Sequence, residues 1–387
     1  MFTRRAFTGA VVAAAGATAA SAETSSNVVL PMRNDYGVLW TSVFIDRKGP
    51  YRFIVHTGQT FFNVSHKLVE TLGLRRTPTP GLEAYTPNGK LDLEVYTAKE
   101  LLLGSAYRLK NVDLIARTYG SEELFTGTVP FLTAHPTSFD FSKNEVTFYQ
   151  REIAVPPGAS KLKLLQPPIN STSTTPVVQA DLDGQRLKLV VNTGCYTSLV
   201  LYPAAVKRLK LWERYPNGIV TTDEDKETGP CETHTVRAGS LKIGDIEFAS
   251  PVAELEDPQQ AVPRAYIDAD GFIGLDLLRR LWIAFDHDKG AAWFAPQAEL
   301  MNEPFAYNRS GFAARTTDED ARVVKAVKPG GPAEKAGLQV GDRLALSPEA
   351  LVQLNYALTL PADTKITFNV ERDGKTFPVH IVLEELI

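Results

Sequence analysis

Residues 51–58 read YRFIVHTG, and residues 187–194 read LKLVVNTG. Each stretch is an apolar run that predicts a β-strand and ends in X-Thr-Gly. Another strand and a turn come before each run, at residues 43–49 and 178–184, and the Asp-Gly pair in the second turn favours a tight hairpin. The chain therefore repeats one local pattern 136 positions apart.

The match continues downstream of both X-Thr-Gly loops. A short helix is predicted after each loop, at residues 65–74 and 203–211. Later, residues 138–148 and 283–294 both read as a strand, a tight turn and a returning strand. Because the matched features keep their order and nearly the same separation, they predict a duplicated, mainly β domain.

The composition limits the class of protein. A chain of 387 residues is long enough for two or three domains, and 44% hydrophobic with 22% charged residues is typical of globular proteins. Lys and Arg number 41 against 45 Asp and Glu, so the net charge of −4 argues against a nucleic-acid-binding surface. Outside the N-terminal segment, no apolar run is long enough to span a bilayer.

The N-terminus reads as a secretory signal. Residues 3–7 read TRRAF, an Ala-rich stretch covers residues 9–20, and Ala-Ser-Ala at 20–22 is a small-residue cleavage site. The paired Arg indicates the twin-arginine type of bacterial export. We therefore expect residues 1–22 to be removed and the remaining protein to be periplasmic or secreted. A frayed, Ala-rich helix is the alternative.

Cys195 and Cys231 are the two cysteines of the sequence. An even number in an oxidising compartment permits one disulfide, which makes this pair a disulfide candidate. The sequence does not show that the two residues approach each other, so two unpaired thiols are the alternative.

On these motifs, the chain resembles the aspartic peptidase family in its two-lobed, pepsin-like and retropepsin-like form. In each lobe that family has an apolar strand followed by Asp-Thr-Gly, and later two hydrophobic residues and a Gly. Residues 53–58 and 189–194 match the first element, and Phe-Ile-Gly at 272–274 matches the second. The counterpart at 128–130, Thr-Val-Pro, lacks the Gly.

The resemblance places the family's catalytic site on six residues: His56, Thr57, Gly58, Asn192, Thr193 and Gly194. Aspartic peptidases need two carboxylates that share one proton. Here His56 and Asn192 occupy the two Asp positions, and an amide side chain does not ionise. The family's proteolysis is therefore not expected. The resemblance further implies that the two Thr link the lobes by hydrogen bonds and that each Gly allows a tight turn.

Three interpretations of the His56 and Asn192 pair stay open. In the first, which the missing acids favour, the protein is a pseudoprotease whose cleft binds an extended peptide by strand addition without cutting it. In the second, it is a peptidase in which His56 acts as general base and Asn192 polarises a carbonyl. In the third, the cleft holds a metal or cofactor; Cys231 and His234 have a ligand-like spacing, but we expect no metal and no cofactor.

The flap of this family follows the helix of the first lobe. Residues 85–90 read YTPNGK, and their Asn-Gly pair predicts a hairpin turn in that region. Tyr85 is therefore a candidate peptide-binding aromatic of the flap, with an ordinary hairpin residue as the alternative.

Residues 305–387 form a separate predicted unit. Residues 328–344 read KPGGPAEKAGLQVGDRL, which closely resembles bacterial PDZ domains of the kind attached to periplasmic proteases. PDZ domains hold an extended peptide between a strand and a helix, here residues 347–358, with backbone N–H groups on the peptide's terminal carboxylate. The candidate carboxylate loop that this resemblance implies consists of Gly311, Phe312 and Ala313. A PDZ fold that only packs on the second lobe is the alternative.

The predicted architecture is mainly β. It has a leader at 1–22, two duplicated aspartic-protease-like lobes at 23–158 and 159–298, and a PDZ-like α+β module at 305–387. Because both lobes lie in one chain, a monomer suffices to form the cleft. The expected partner is an extended peptide or a protein C-terminus, with no nucleic acid and no membrane span. A scaffold that recruits a partner through the PDZ-like module is a further alternative.

Overall fold

A computed structural model describes residues 10–12, 26–77, 83–86, 89–117, 125–165, 174–225, 229–259, 268–314 and 323–387. Within these ranges the side chains of 10–12, 83–86, 89–92, 223–225 and 229–231 are not described. Strands take up far more of the chain than helices, as the sequence predicts. No helix in these ranges is long and apolar enough to cross a membrane.

The elements of the first half are, in chain order, β1 (Ala10–Val12), β2 (Val28–Pro31), β3 (Arg33–Asp35), β4 (Val38–Ile45), β5 (Lys48–His56), β6 (Phe62–Ser65), α1 (His66–Leu72), β7 (Arg75–Arg76), β8 (Glu83–Thr86), β9 (Gly89–Asp92), β10 (Val95–Leu103), β11 (Tyr107–Arg117), β12 (Gly127–Pro130), β13 (Thr137–Asp140) and β14 (Glu145–Phe148). The predicted helix is α1. Ser65 caps its start by accepting the Leu68 N–H, and Gly73 ends it in the left-handed conformation.

Eight strands of the first half form one sheet in the order β3-β4-β5-β12-β6-β11-β10-β7, with β4 also paired to β10. At its centre, β12 runs parallel to β5 and antiparallel to β6, while β6 runs parallel to β11. The strand that ends in His56 is therefore held by neighbours on both sides. Separately, β8 and β9 pair as the predicted hairpin, and β1 adds to the other edge of β8.

The elements of the second half are β15 (Ser160–Lys163), β16 (Val177–Leu182), β17 (Gln185–Val191), β18 (Leu199–Leu201), α2 (Pro203–Leu209), α3 (Leu211–Arg214), β19 (Ile219–Asp225), β20 (Gly229–Arg237), β21 (Ser240–Ile243), β22 (Ile246–Ala249), β23 (Val252–Glu256), β24 (Gly271–Ile273), α4 (Leu275–Leu278), β25 (Leu281–Asp286) and β26 (Ala291–Pro296). Asp183 and Gly184, between β16 and β17, both have positive φ, as their tight hairpin requires.

The nine-stranded sheet of the second half repeats the pairing of the first. Its order is β19-β20-β23-β18-β24-β17-β16-β21-β22. At its centre, β24 runs parallel to β17 and antiparallel to β18, and β18 runs parallel to β23. The strand that leads into each Thr-Gly turn thus lies in the same surroundings in both halves.

A six-stranded sheet joins the two halves. Its order is β15-β26-β25-β13-β14-β2, so that β13 of the first half pairs antiparallel with β25 of the second. Most of the buried apolar side chains of both halves belong to one continuous cluster. The relative position of the two Thr-Gly turns is therefore fixed by a shared sheet and a shared core.

The C-terminal module has its own elements: β27 (Phe312–Ala314), β28 (Val324–Val327), α5 (Pro332–Lys335), β29 (Arg343–Leu344), α6 (Pro348–Ala357), β30 (Lys365–Arg372) and β31 (Lys375–Val382). β27 pairs with β28, and β29, β30 and β31 form a second small sheet. These elements enclose an apolar core separate from that of the two halves. The predicted groove helix is α6.

Two buried arginines bind the segment that connects the second half to the module. Arg280 is fully buried and donates to four main-chain carbonyls, including those of Glu303 and Pro304 in the connecting segment. Arg309 is also buried, pairs with Glu385 at 2.7 Å and donates to a carbonyl just after α6. A guanidinium is tolerated inside a protein when its N–H groups are satisfied, so these bonds fix the connecting segment in place.

Candidate functional site

The two X-Thr-Gly turns face each other and are joined by reciprocal hydrogen bonds. The Thr57 N–H donates to Thr193 Oγ1 at 3.1 Å, and the Thr193 N–H donates to Thr57 Oγ1 at 3.0 Å. Each hydroxyl in turn donates to a carbonyl of the opposite half, that of Val191 or Val55, at 2.6 Å. Both Thr are buried, so this network positions the residues on either side of them.

His56 packs on Gly194, and Asn192 packs on Gly58, so each side chain reaches the opposite turn. A Cβ on Gly194 would overlap the His56 ring, and a Cβ on Gly58 would lie 2.7 Å from Asn192 Cγ. Neither glycine has a positive φ. Both glycines lie in turns, and the close packing of the opposite side chain is a further reason for Gly at each position.

The His56 imidazole is neutral at physiological pH. The ring is only partly exposed, and its burial lowers the pKa from 6.5 to about 4. Asn192 Oδ1 accepts the Gly194 N–H at 3.0 Å, which fixes the orientation of the amide. The two side chains that precede the Thr-Gly turns therefore bring no charge to the site.

His56 and Asn192 can carry out few catalytic steps. A neutral imidazole accepts a proton, but with a pKa near 4 it is a weak general base at neutral pH. The Asn192 amide donates and accepts hydrogen bonds and does not transfer a proton. The arrangement is better suited to holding a ligand by hydrogen bonds than to activating water.

The structure describes Cys195 fully, but it does not describe the side chains of Cys231 and Tyr85, two other predicted site residues. Cys195 follows Gly194 directly, and its Sγ lies 3.3 Å from Thr197 Oγ1. The side chain of Cys231 lies outside the described residues, so the disulfide stays a prediction. The backbone of Tyr85 belongs to β8, and its side chain is likewise outside the described part of the chain.

In the part of the chain that the structure describes, no group of three or more His, Cys, Asp and Glu could hold a metal ion. The side chain of Cys231 is outside that part, so its ligand-like spacing with His234 stays a prediction. The His234 ring stacks on Trp212, with ring centroids 3.8 Å apart. This stacking gives His234 a packing role within the second half.

Three buried polar side chains near His56 were not predicted as site residues: Gln59, Asn63 and Thr128. Gln59 Oε1 accepts from Asn63 Nδ2 at 2.7 Å and from Thr128 Oγ1 at 2.6 Å, and none of the three is more than 5% exposed. Thr128 pairs in register with Asn63 and with Ile54, which puts them on the strand face that also carries His56. We call these three residues the polar triad.

In the repeat of the second half, the positions that correspond to Gln59, Asn63 and Thr128 are occupied by Cys195, Val200 and Phe272. Phe272 pairs in register with Val200 and with Val190, just as Thr128 does with Asn63 and Ile54. Val200 and Phe272 pack in an apolar cluster, and Cys195 packs against it. The signal that could have found the polar triad is thus the repeat itself, compared position by position.

The predicted carboxylate loop of the module is partly occupied by its own side chains. Gly311 has a φ of 73°, and Ala313 lies within β27. Ser310 is fully buried, and its Oγ accepts the Phe312 N–H at 3.3 Å. The Ser310 N–H itself donates to Asn308 Oδ1 at 2.9 Å. One of the three predicted carboxylate-binding N–H groups is therefore already satisfied within the loop.

Comparison with known proteins identifies one segment. A family profile of the PDZ domain matches residues 323–345. This range holds β28, α5 and β29, and it includes neither the predicted carboxylate loop nor α6. No curated protein matches the chain. The module therefore contains a PDZ segment, and PDZ domains are protein-interaction modules that bind peptide C-termini.

Proposed function

We propose that this protein is an exported, aspartic-peptidase-like pseudoprotease that binds an extended peptide or protein segment between its two halves without cutting it. The observation that carries the proposal is the pair of joined Thr-Gly turns, on which a neutral His56 and Asn192 stand where the family has acids. The strand pairing repeated around both turns supports the resemblance to the two lobes of that family.

The edge of β8 supports binding by strand addition. It pairs antiparallel with residues Ala10–Val12 of the chain itself. These residues belong to the predicted leader, whose removal would leave the edge unpaired. An unpaired strand edge is a template for another extended segment, so a bound peptide would take the place of β1.

A peptidase with a His-Asn centre is the alternative that the site disfavours. With a pKa near 4, His56 removes a proton from water only weakly at neutral pH. Asn192 Oδ1 is held by the Gly194 N–H of its own turn. Asn192 does not transfer a proton, so the site has no second acid beside His56 for the leaving amine.

The test incubates the purified protein with a random peptide library and identifies bound and cleaved peptides by mass spectrometry. We expect intact peptides to be enriched and no new peptide termini between pH 3 and pH 8. Cleavage that His56→Ala abolishes would establish the peptidase instead. Neither enrichment nor cleavage would defeat both functions.

A double variant, His56→Asp with Asn192→Asp, asks whether the groove admits a peptide. It restores the two acids of the family on the joined turns, so we expect proteolysis with an acidic optimum. Asn192→Asp alone is the matched control, because it leaves a single acid. An inactive but folded double variant would show that no peptide reaches the turns.

The second candidate function is a scaffold that recruits a partner through the C-terminal module, and the PDZ match at residues 323–345 favours it. It is tested with labelled peptides that end in a free carboxylate or in an amide. Binding that amidation abolishes supports the scaffold. Binding of internal segments regardless of amidation supports the groove between the halves.

We also propose that the protein acts outside the cytoplasm, because residues 1–22 read as a twin-arginine leader. In a bacterial host, replacing Arg4 and Arg5 with Lys should leave the unprocessed chain in the cytoplasm. Cell fractionation and N-terminal sequencing measure this. Unchanged export of the variant would contradict the proposal.

A further inference from the structure

Gln59 carries a buried hydrogen-bond donor without a partner. Its Nε2 meets no acceptor among the residues that the structure describes, although the side chain is only 5% exposed. Buried polar atoms of native proteins are nearly always paired, because an unpaired one costs free energy. An orphan of this kind points to an acceptor that arrives with a ligand.

The rest of the polar triad holds the Gln59 amide in one orientation. Oε1 is the acceptor for both Asn63 and Thr128. Turning the amide over would set Nε2 against the NH₂ group of Asn63, and two donors facing each other are unfavourable. The unpaired Nε2 is therefore presented on the side of the amide away from these two partners.

The polar triad lies on the first half's side of the proposed binding groove. Thr128 and Ile54 are paired in register, and His56 follows Ile54 by two residues on the same face of β5. The Gln59 N–H donates to His56 O at 3.1 Å, which ties the loop that carries Gln59 to the end of this strand. The orphan donor thus belongs to the same groove as His56.

We propose that the first half's side of this groove is a subsite for a Gln or Asn side chain, whose carbonyl oxygen accepts a hydrogen bond from Gln59 Nε2. This inference rests on peptide binding in the groove, as proposed above. A projecting side chain reaches a nearly covered donor better than a main-chain carbonyl does. A neutral carbonyl suits the subsite better than a carboxylate, because burying an unpaired charge costs far more.

The second half offers an internal control. At the matched positions it has Cys195, Val200 and Phe272, which contribute to apolar packing. No amide stands there to select an acceptor. The preference for Gln or Asn should therefore depend on the first half alone and should apply to one position of the bound peptide.

The experiment measures binding of the purified protein to peptide libraries in which one position is Gln, the γ-methyl ester of Glu, or Leu. The ester accepts a hydrogen bond and donates none, so it isolates the role of Nε2. At one position we expect Gln and the ester to bind about tenfold more tightly than Leu. Gln59→Met keeps the length and removes the donor, so it should abolish this preference. Phe272→Leu should retain it.

A second variant keeps the test decisive if thermal unfolding shows that Gln59→Met does not fold. In Gln59→Glu, the new carboxylate still accepts hydrogen bonds from Asn63 and Thr128 but has no NH₂ group to donate. This variant should therefore lose the preference for the ester. Two results would overturn the subsite and leave peptide binding intact. In one, the Gln59 variants still prefer the ester. In the other, the wild-type protein binds the ester and the Leu peptides equally well. If no library peptide binds the wild type, the proposed function falls together with the subsite.

Discussion

The two halves of the chain build the same turn and then surround it differently. Thr57 and Thr193 exchange equivalent hydrogen bonds, and Gly58 and Gly194 each receive a side chain of the opposite half. Behind the turn, the first half has the polar triad and the second half an apolar cluster. A residue that bonds to the opposite half is constrained by both halves, so it is the same in each. A residue that packs within one half is constrained only by that half, so its type can differ between the two.

The largest predicted effect concerns the hydrogen bonds between the two Thr-Gly turns, which both halves share. Thr57→Val or Thr193→Val keeps the shape and leaves one N–H and one carbonyl of the opposite half buried without a partner. Since each such group costs about 1–3 kcal/mol, we expect either variant to lose about 4 kcal/mol of unfolding free energy. Chemical denaturation measures this loss.

The control for the Thr variants is Thr71→Val. The exposed Thr71 hydroxyl donates to Lys67 O within α1, so this change should alter the stability by less than about 0.5 kcal/mol. Losses at Thr57 and Thr193 that differ by more than about 2 kcal/mol would show that the two turns are not equivalent.

The second prediction concerns His56, which can take up a proton, whereas its counterpart Asn192 cannot. The pKa of His56 is about 4 in the folded protein and about 6.5 when unfolded, so the unfolded chain binds the proton more tightly. The stability that the neutral ring contributes is therefore complete above pH 6.5 and is lost as the pH falls towards 4. Its loss at pH 4 amounts to about 3 kcal/mol.

Denaturation at several pH values, compared between wild type and His56→Gln, isolates this contribution. Burial also lowers the pKa values of His135, His234 and His287, and their effects cancel in the comparison because both proteins retain them. Asn192→Ala is the matched control in the other half and should leave the pH dependence unchanged. Equal pH dependence in wild type and His56→Gln would contradict the burial of the imidazole.

The third prediction uses the two glycines. Gly194→Ala would place a methyl group in the His56 ring, and Gly58→Ala would press one against the Asn192 amide. We expect each to cost about 2 kcal/mol, with the larger loss at Gly194 because its added methyl would overlap the ring. Adding His56→Ala should restore stability to Gly194→Ala and leave Gly58→Ala unimproved. Rescue of both, or of neither, would show that the packing is not reciprocal.

The repeat let the sequence predict the elements around each turn. The apolar runs that became β5 and β17, the helices α1 and α2, and the Asp183-Gly184 hairpin all depend on local patterns of hydrophobic and turn residues. The sequence also indicated that a Thr pair would join the turns, through the resemblance. It did not indicate that His56 packs on Gly194 and Asn192 on Gly58, because a close contact between the halves leaves no local trace.

The polar triad and the buried arginines could not be predicted from local patterns. Gln59 and Thr128 are 69 positions apart and become neighbours because β12 inserts between β5 and β6. Arg309 and Glu385 are 76 positions apart and are brought together by the folding of the whole module. A single Gln or Arg has no periodicity, so its burial is decided by tertiary packing.

The smallest predicted effect concerns how each half meets the C-terminal module. On the second half, Arg237 of β20 pairs with Glu385 at 3.2 Å and lies close to the main chain of Ile387. On the first half, Gln353 of α6 donates to Tyr36 Oη at 3.2 Å, in an exposed contact. Both contacts are exposed, but the second half is also joined to the module by the connecting segment, whose carbonyls the buried Arg280 and Arg309 bind.

Gln353→Ala should therefore change the unfolding free energy by less than about 0.5 kcal/mol, because water replaces an exposed hydrogen bond at little cost. Tyr36→Ala removes the same bond and should behave alike, apart from the edge contact of its ring with Tyr356. Denaturation curves of both variants measure this. A loss above about 1.5 kcal/mol for Gln353→Ala would contradict this and would mean that the contact of the first half with the module is not a minor one.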